Sequence, residues 1–147
     1  MLDKILPAYL LTLSGVTSSP IGQNVFRNRT PEAAPHSYIV VGDARDIDIG
    51  QVVQGNLDRE VGTYSIIVVT NKGFNTIDSA VDTIITALKE FKNGYIPSGS
   101  TLPRMWVQCF IIKDRKQFNF SPKDGGEETI LGYIIPVKAA YDRIVSS

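Results

Sequence analysis

Residues that perform catalysis are scarce in this chain of 147 residues. His36 is the only histidine and Cys109 the only cysteine, so a Ser–His–Asp or Cys–His site would have to use them. His36 lies at the start of a predicted strand, in Ala-Pro-His-Ser-Tyr, and the chain contains no Gly-x-Ser-x-Gly motif. Cys109 lies among the apolar residues of another predicted strand, which is typical of a buried, unreactive thiol. We therefore expect a protein that is not an enzyme.

Metal and cofactor motifs are also missing from the sequence. One histidine and one cysteine do not suffice for a zinc site of the usual kind within one chain. Asp43, Asp46 and Asp48 resemble part of a calcium-binding loop, but Gly50 stands where a further ligand is required and Leu57 where the closing glutamate belongs. A solvated acidic turn explains the three aspartates better. No Gly-x-Gly-x-x-Gly or Walker motif occurs, so we expect neither a metal nor a cofactor.

The densest basic cluster consists of Lys113, Arg115 and Lys116. The formal net charge of the chain is zero, with 15 basic and 15 acidic residues, so the chain as a whole is not suited to coating nucleic acid. The cluster has two interpretations. It is either a solvated strand end, which is the default for such residues, or a contact with phosphate groups.

The elements that must position these residues are best defined between residues 60 and 91. The segment 60–70 predicts a strand that is apolar on both faces and therefore covered on both sides. The segment 75–91 predicts an amphipathic helix, which Asn75 caps and Gly94 ends. This helix can cover one face of the strand. The N-terminal segment or a neighbouring subunit must then cover the other face.

The remaining segments complete an α+β pattern. Further strands are predicted at 24–28, 37–42, 104–112 and 129–139, with a loop at 14–23 and with Pro136 at a sheet edge or a bulge. The apolar run from Ile5 to Val16 predicts a short buried helix rather than a signal peptide, because Pro7 interrupts it and no Ala-x-Ala site follows. It is too short to span a membrane. We expect a single domain over residues 1–147, with a mostly antiparallel sheet of about five strands, a long hairpin arm and two packed helices.

The hairpin arm is predicted from alternating polar and apolar residues between Asp43 and Asp58. Its apolar members, Ile47, Ile49, Val52 and Val53, expose more apolar surface than a free loop needs. Two interpretations follow: the arm contacts another chain, or it folds back on the core.

The segment from Asn24 to Val41 resembles the signature of the tail terminator, or tail completion, proteins of long-tailed bacteriophages. It reads Asn-Val-Phe-Arg-Asn-Arg-Thr-Pro-Glu-Ala-Ala-Pro-His-Ser-Tyr-Ile-Val-Val. It is similar to the Val–aromatic strand, the Pro-Glu-x-x-Pro connection and the Tyr-Ile-Val-Val strand of that family. The order of the predicted elements is similar over nearly the whole chain. The departures are Pro7 in the first helix and the extended region 118–128.

This resemblance implies a structural virion protein at the head–tail junction, present in the host cytoplasm during assembly and without a membrane partner. Members of the family form a sixfold ring on the head-proximal end of the tail tube. The ring ends tube polymerisation and docks the head connector, and DNA passes through its lumen. Another neck component, such as a head-completion adaptor, and a non-viral α+β ligand-binding module are the alternatives.

The resemblance also gives the candidate residues their expected partners. Ile47, Ile49, Val52 and Val53 are expected at contacts between subunits or with the tail tube protein. Lys113, Arg115 and Lys116 are expected near the lumen or near a partner protein.

Overall fold

The computed structural model of the chain describes residues 2–27, 36–42, 47–49, 60–96, 104–120 and 130–145. Within these residues there are three α-helices and a short 3-10 turn: α1 (Leu2–Leu10), α2 (Ser14–Thr17), the turn (Phe74–Thr76) and α3 (Asp78–Glu90). The same residues contain eight strands: β1 (Val25–Arg27), β2 (Ser37–Gly42), β3 (Ile47–Ile49), β4 (Glu60–Thr70), β5 (Lys92–Ile96), β6 (Arg104–Ile112), β7 (Lys116–Phe120) and β8 (Ile130–Val145). No helix in this part of the chain is both long enough and apolar enough to cross a membrane.

All of these strands belong to one mixed sheet. Its order is β1-β2-β4-β8-β6-β5, with β3 also paired to β4 and β7 also paired to β8. The β1–β2 pair is parallel and the other described pairs are antiparallel. The strands β2 and β3 pair with successive parts of the same edge of β4, since β8 pairs with its other edge. In the same way, β6 and β7 pair with successive parts of the edge of β8 that faces away from β4. The α+β class is confirmed, but the described residues form eight strands instead of about five.

The strands β4 and β6 run parallel to each other, because both pair antiparallel with β8 between them. The sequence predicted that α3 leads from β4 directly into β6 as one crossover, but α3 leads into β5, which turns back and pairs antiparallel with β6. The bounds of β2, β4 and β6 are those that the sequence predicted. The glycines, prolines and serines of residues 94–103 predict a loop, and over residues 94–96 that prediction is wrong, because these residues belong to β5.

The start and end of α3 differ from the prediction. Gly73 has a φ of 123°, which only glycine adopts readily, and a 3-10 turn follows before the helix begins at Asp78. The N-cap is Ile77, which has no side-chain capping bond, so the assignment of Asn75 as the cap was wrong. Gly94 does not end the helix either, because it lies within β5. Asn93, with a φ of 46°, makes the left-handed step there.

The main core lies on one face of the sheet, under α1 and α3. Its fully buried side chains include Leu6 and Leu10 of α1, Ile84 and Leu88 of α3, and Ile66 of β4. Each such burial contributes roughly 1.5–3 kcal/mol to folding. The predicted N-terminal helix is therefore present and buried, and Pro7 lies inside it.

The predicted loop 14–23 instead begins with the helical turn α2, which packs closely on α3. Gly15 permits this approach, because a Cβ at that position would lie 2.7 Å from Thr83 Cγ2.

The opposite face of the sheet carries a second, smaller cluster. Its buried members are Tyr38, Val40 and Val69, and Phe26 and Phe118 pack against them. The helix α1 contributes nothing to this cluster, since its buried residues belong to the main core. Of the two predicted covers for the second face, the N-terminal helix is therefore ruled out, and a neighbouring subunit stays a prediction.

Pro136 lies in the central strand β8, so its assignment to a sheet edge was wrong and its assignment to a bulge was right. The Pro136 carbonyl accepts a hydrogen bond from the Lys113 N–H at 3.1 Å. The proline nitrogen has no hydrogen and cannot donate the return bond of an antiparallel pair. The partner of β8 changes here from β6, where Ile112 pairs with Val137, to β7, where Lys116 pairs with Ile134. The three residues 113–115 therefore lie opposite the two residues 135–136, and the extra residue makes a bulge.

Candidate interaction surfaces

The predicted hairpin arm is described at its base only. Ile47 pairs with Gly62 and Ile49 pairs with Glu60, so β3 and the first residues of β4 form an antiparallel ribbon. This is the pairing that a hairpin between the two strands requires. Val52 and Val53 lie outside the described residues.

Within the described residues, Arg115 is the member of the basic cluster that forms an ion pair, and Lys113 and Lys116 form none. Arg115 Nη1 donates a hydrogen bond to Asp82 Oδ1 of α3 at 2.8 Å. The Arg115 guanidinium also lies 5.0 Å from the centre of the Tyr133 ring. Lys113 and Lys116 are exposed, and among the described residues neither has an ion-pair partner. Arg115 therefore links the bulge to α3, and Lys113 and Lys116 have no such contact within the described residues.

A hydrogen bond between a tyrosine and a carboxylate also connects the sheet to α3. Tyr133 Oη donates to Asp78 Oδ1 at 2.7 Å. This bond, followed by burial and by the negative charge of Asp78, raises the pKa of Tyr133 above its usual value, against an opposing effect of Arg115. Asp78 and Asp82 lie one turn apart on α3, so their spacing places them on one helix face. The sequence did not indicate their partners, because these come from a distant strand and a bulge.

A shallow groove of about 750 Å³ runs along the outer side of α3. The acidic residues Asp78, Asp82 and Glu90 line it along its length. Small side chains line the stretch between them: Ser79, Thr83, Thr86 and Ala87. We call this feature the α3 groove. Lys89, the lysine in the last turn of the helix, lines a different cleft of about 240 Å³ beside the bulge.

An apolar surface lies on the other face of the sheet. Tyr95 and Ile111, which are 38% and 58% exposed, are the exposed large hydrophobic residues within the described part of the chain. Their strand neighbours Ile96 and Phe110 point into the main core, so Tyr95 and Ile111 point away from the helices. The Tyr95 ring packs edge-on against Trp106, with ring centres 5.0 Å apart.

Two lysines accompany these apolar side chains. Lys138 lies directly opposite Ile111 in the β6–β8 pair, so the two share one face of the sheet. Lys92 lies opposite Cys109 in the β5–β6 pair. Both lysines are exposed. We call Tyr95, Trp106 and Ile111, together with Lys92 and Lys138, the Trp106 patch.

Among the described residues, those considered for catalysis and metal binding are not brought together. His36 is exposed at the entry to β2, where its carbonyl accepts a hydrogen bond from the Asn71 N–H at 3.0 Å. Cys109 is a free, half-buried thiol in β6. No group of three or more histidine, cysteine, aspartate or glutamate side chains that could hold a metal occurs in the described residues. Asp43 and Asp46 lie outside those residues.

The fold defines an α+β protein in which two helices pack on one face of a mixed sheet and the interaction surfaces lie on both faces. No protein-family model matches the chain, and no curated protein matches it. Among solved structures, the chain is similar to a chain in the virion of a native gene transfer agent (GTA) particle. The TM-score is 0.64 at 19% sequence identity, and the likeness covers 95% of this chain and 96% of that chain. The two chains therefore share a fold from end to end.

Proposed function

We propose that this chain is a structural protein of a phage-like virion and that it acts there as the tail terminator. The strongest support is the likeness to a gene transfer agent virion chain over nearly the full length of both chains. A shared fold alone does not define function. Here it coincides with a resemblance to phage tail terminators that rests on residues 24–41.

The segment that carries this resemblance contributes one edge of the sheet. Val25–Arg27 forms the edge strand β1, which pairs in parallel with Ser37–Gly42 of the neighbouring strand β2. The Val–aromatic and Tyr-Ile-Val-Val stretches thus lie side by side, with Phe26 opposite Val40. In the proposed role, copies of the chain form a ring on the tail tube, end its polymerisation and present a docking surface to the head connector. DNA passes through the lumen.

The hairpin arm is the proposed contact with the next subunit or with the tail tube protein. We expect the double variant Ile47→Asp and Val53→Asp to remain folded and to fail in capping tails, because charged side chains would replace the apolar contact. The measurement is tail length in electron micrographs of particles assembled with the variant. Asp48→Asn, in the same strand, is the matched control and should leave tail length normal. Normal capping by the double variant would remove the arm from the proposal.

Location is the experiment that tests the proposed function. An antibody against the chain is applied to purified particles of the source and viewed by electron microscopy. Label at the head–tail junction is the expected result. Label at the far tail tip would place the chain in the baseplate, and its absence from intact particles would refute a structural role.

A further inference from the structure

We propose that the Trp106 patch of one copy binds in the α3 groove of a second copy. This contact would join successive subunits head to tail, so the inference rests on the ring proposed above and names the two surfaces that build it. Both surfaces belong to this chain. They match in shape, they carry opposite charges, and they lie on opposite sides of the sheet.

The shapes of the two surfaces match. The patch presents two large exposed side chains, Tyr95 and Ile111, with the half-buried Trp106 packed beside Tyr95. The middle of the groove is lined by small side chains such as Thr86 and Ala87. The patch extends roughly 16 Å along β6, from Trp106 to Ile111 at about 3.3 Å per residue. The groove extends roughly 18 Å from Asp78 to Glu90 at about 1.5 Å per residue. The patch therefore fits within the length of the groove.

The charges of the two surfaces are opposite. Lys92 and Lys138 flank the apolar side chains of the patch, and none of its members is acidic. The groove carries Asp78, Asp82 and Glu90. Asp82 keeps 67% of its side chain exposed despite its bond to Arg115, and Glu90 is exposed. The neutral chain thus has charges separated between two surfaces, which favours one relative orientation of two copies.

The placement of the two surfaces favours a ring. The groove lies on the helix side of the sheet and the patch lies on the opposite side. Each copy can therefore use both surfaces at once, with a different neighbour at each. Such a heterologous contact produces a closed ring when its rotation closes, whereas an isologous contact produces only a pair. The apolar patch would be buried in every subunit of a closed ring.

A site-specific crosslink tests this contact. The photoreactive residue benzoylphenylalanine replaces Ile111 in the full chain, which is concentrated, irradiated and analysed by mass spectrometry. Since Ile111 points away from α3 of its own chain, a crosslink to an α3 peptide must come from a second copy. We expect crosslinked dimers and longer chains joined to residues 78–90. The same residue at Gln23, exposed beside the edge strand β1 at the opposite edge of the sheet, is the matched control and should give no crosslink to α3.

Charge variants in the Ile111-labelled chain test the electrostatic part. Lys92→Glu with Lys138→Glu should lower the crosslinked yield about tenfold, because like charges would then meet across the contact. Adding copies with Glu90→Lys should restore part of the yield. The matched Lys92→Arg and Lys138→Arg variant should keep the full yield.

Either of two results would overturn the inference: no crosslink to α3 at any concentration, or a yield that does not change with these charges. The immunolabelling experiment remains separate. Label at the neck without an α3 crosslink would refute only this contact. An α3 crosslink without label at the neck would refute the proposed function and leave the self-association in place.

Discussion

Replacement of Gly132 by alanine tests the packing of the sheet at its most crowded point. Gly132 lies in β8 between Val69 of β4 and Phe118 of β7. A Cβ at this position would lie 2.6 Å from Phe118 Cζ and closer still to the carbonyl oxygen of Val68. The Phe118 ring can rotate away from the new Cβ. The Val68 carbonyl belongs to the backbone of β4 and can move only if β4 and β8 separate.

The expected loss of stability follows from two opposing effects. Overpacking a well-packed site costs about 1–3 kcal/mol, and the rigid backbone contact places this site at the upper end. Loss of chain entropy in the unfolded state returns about 0.4–1 kcal/mol. We therefore expect Gly132→Ala to lower the free energy of unfolding by about 2 kcal/mol. For a domain of this size, that corresponds to a decrease in Tm of about 4–8 °C.

Thermal and urea unfolding, followed by circular dichroism, measure this change. Gly42→Ala in β2 is the matched control, because a Cβ there would meet its nearest atom, the Ser65 carbonyl oxygen, at an ordinary 3.7 Å. We expect it to change stability by less than about 0.5 kcal/mol. Adding Phe118→Leu to Gly132→Ala should recover only part of the loss, since the Val68 oxygen remains. Full stability of Gly132→Ala would refute the close approach of β4 and β8 at this residue.

Three further predictions concern Tyr133, Arg115 and the two lysines beside Arg115. Tyr133→Phe should lower the free energy of unfolding by about 1 kcal/mol at neutral pH, because it removes the bond to the Asp78 carboxylate. The folded-state pKa of Tyr133 is raised above its usual 10.0, so this stabilisation is complete below pH 10.0 and disappears as the pH rises through the folded-state pKa. Urea unfolding at increasing alkaline pH should show the two proteins converge, and a constant difference would contradict the bond. Arg115→Glu should lower the melting temperature, because it places a like charge beside Asp82. Lys113→Glu with Lys116→Glu should leave the melting temperature unchanged and impair head joining. If the lysine variant keeps normal infectivity, the two lysines do not contact a partner.

Several features of the fold follow from local patterns that need no tertiary information. The strands β2, β4 and β6 are runs rich in valine, isoleucine and aromatic residues, and their predicted bounds match the structure. The body of α3 follows from the three–four spacing of its apolar residues, four of which are buried. Such patterns are reliable because all the residues that produce them belong to one element.

Other features depend on contacts between distant segments. The strand β5 contains Asn93 and Gly94, which discourage a strand locally, and it forms because β6 provides hydrogen-bond partners along its length. Pro136 in the centre of a sheet is tolerated because the bulge between β6 and β7 lies beside it. The helix α3 starts two or three residues late because a 3-10 turn follows Gly73.

The candidate interaction surfaces also depend partly on local sequence and partly on contacts between distant segments. The sequence alone determined that catalytic and metal-binding motifs are scarce, that the class is α+β and that Lys113, Arg115 and Lys116 are close in the chain. Only the tertiary structure decided that Arg115 is paired with Asp82 while the two lysines remain exposed. It also decided that Tyr95, Trp106 and Ile111 lie on the sheet face away from α3. The physical reason is that residue types and short periodicities report on one element at a time, whereas a surface is formed by side chains whose strands meet through hydrogen bonds between distant segments.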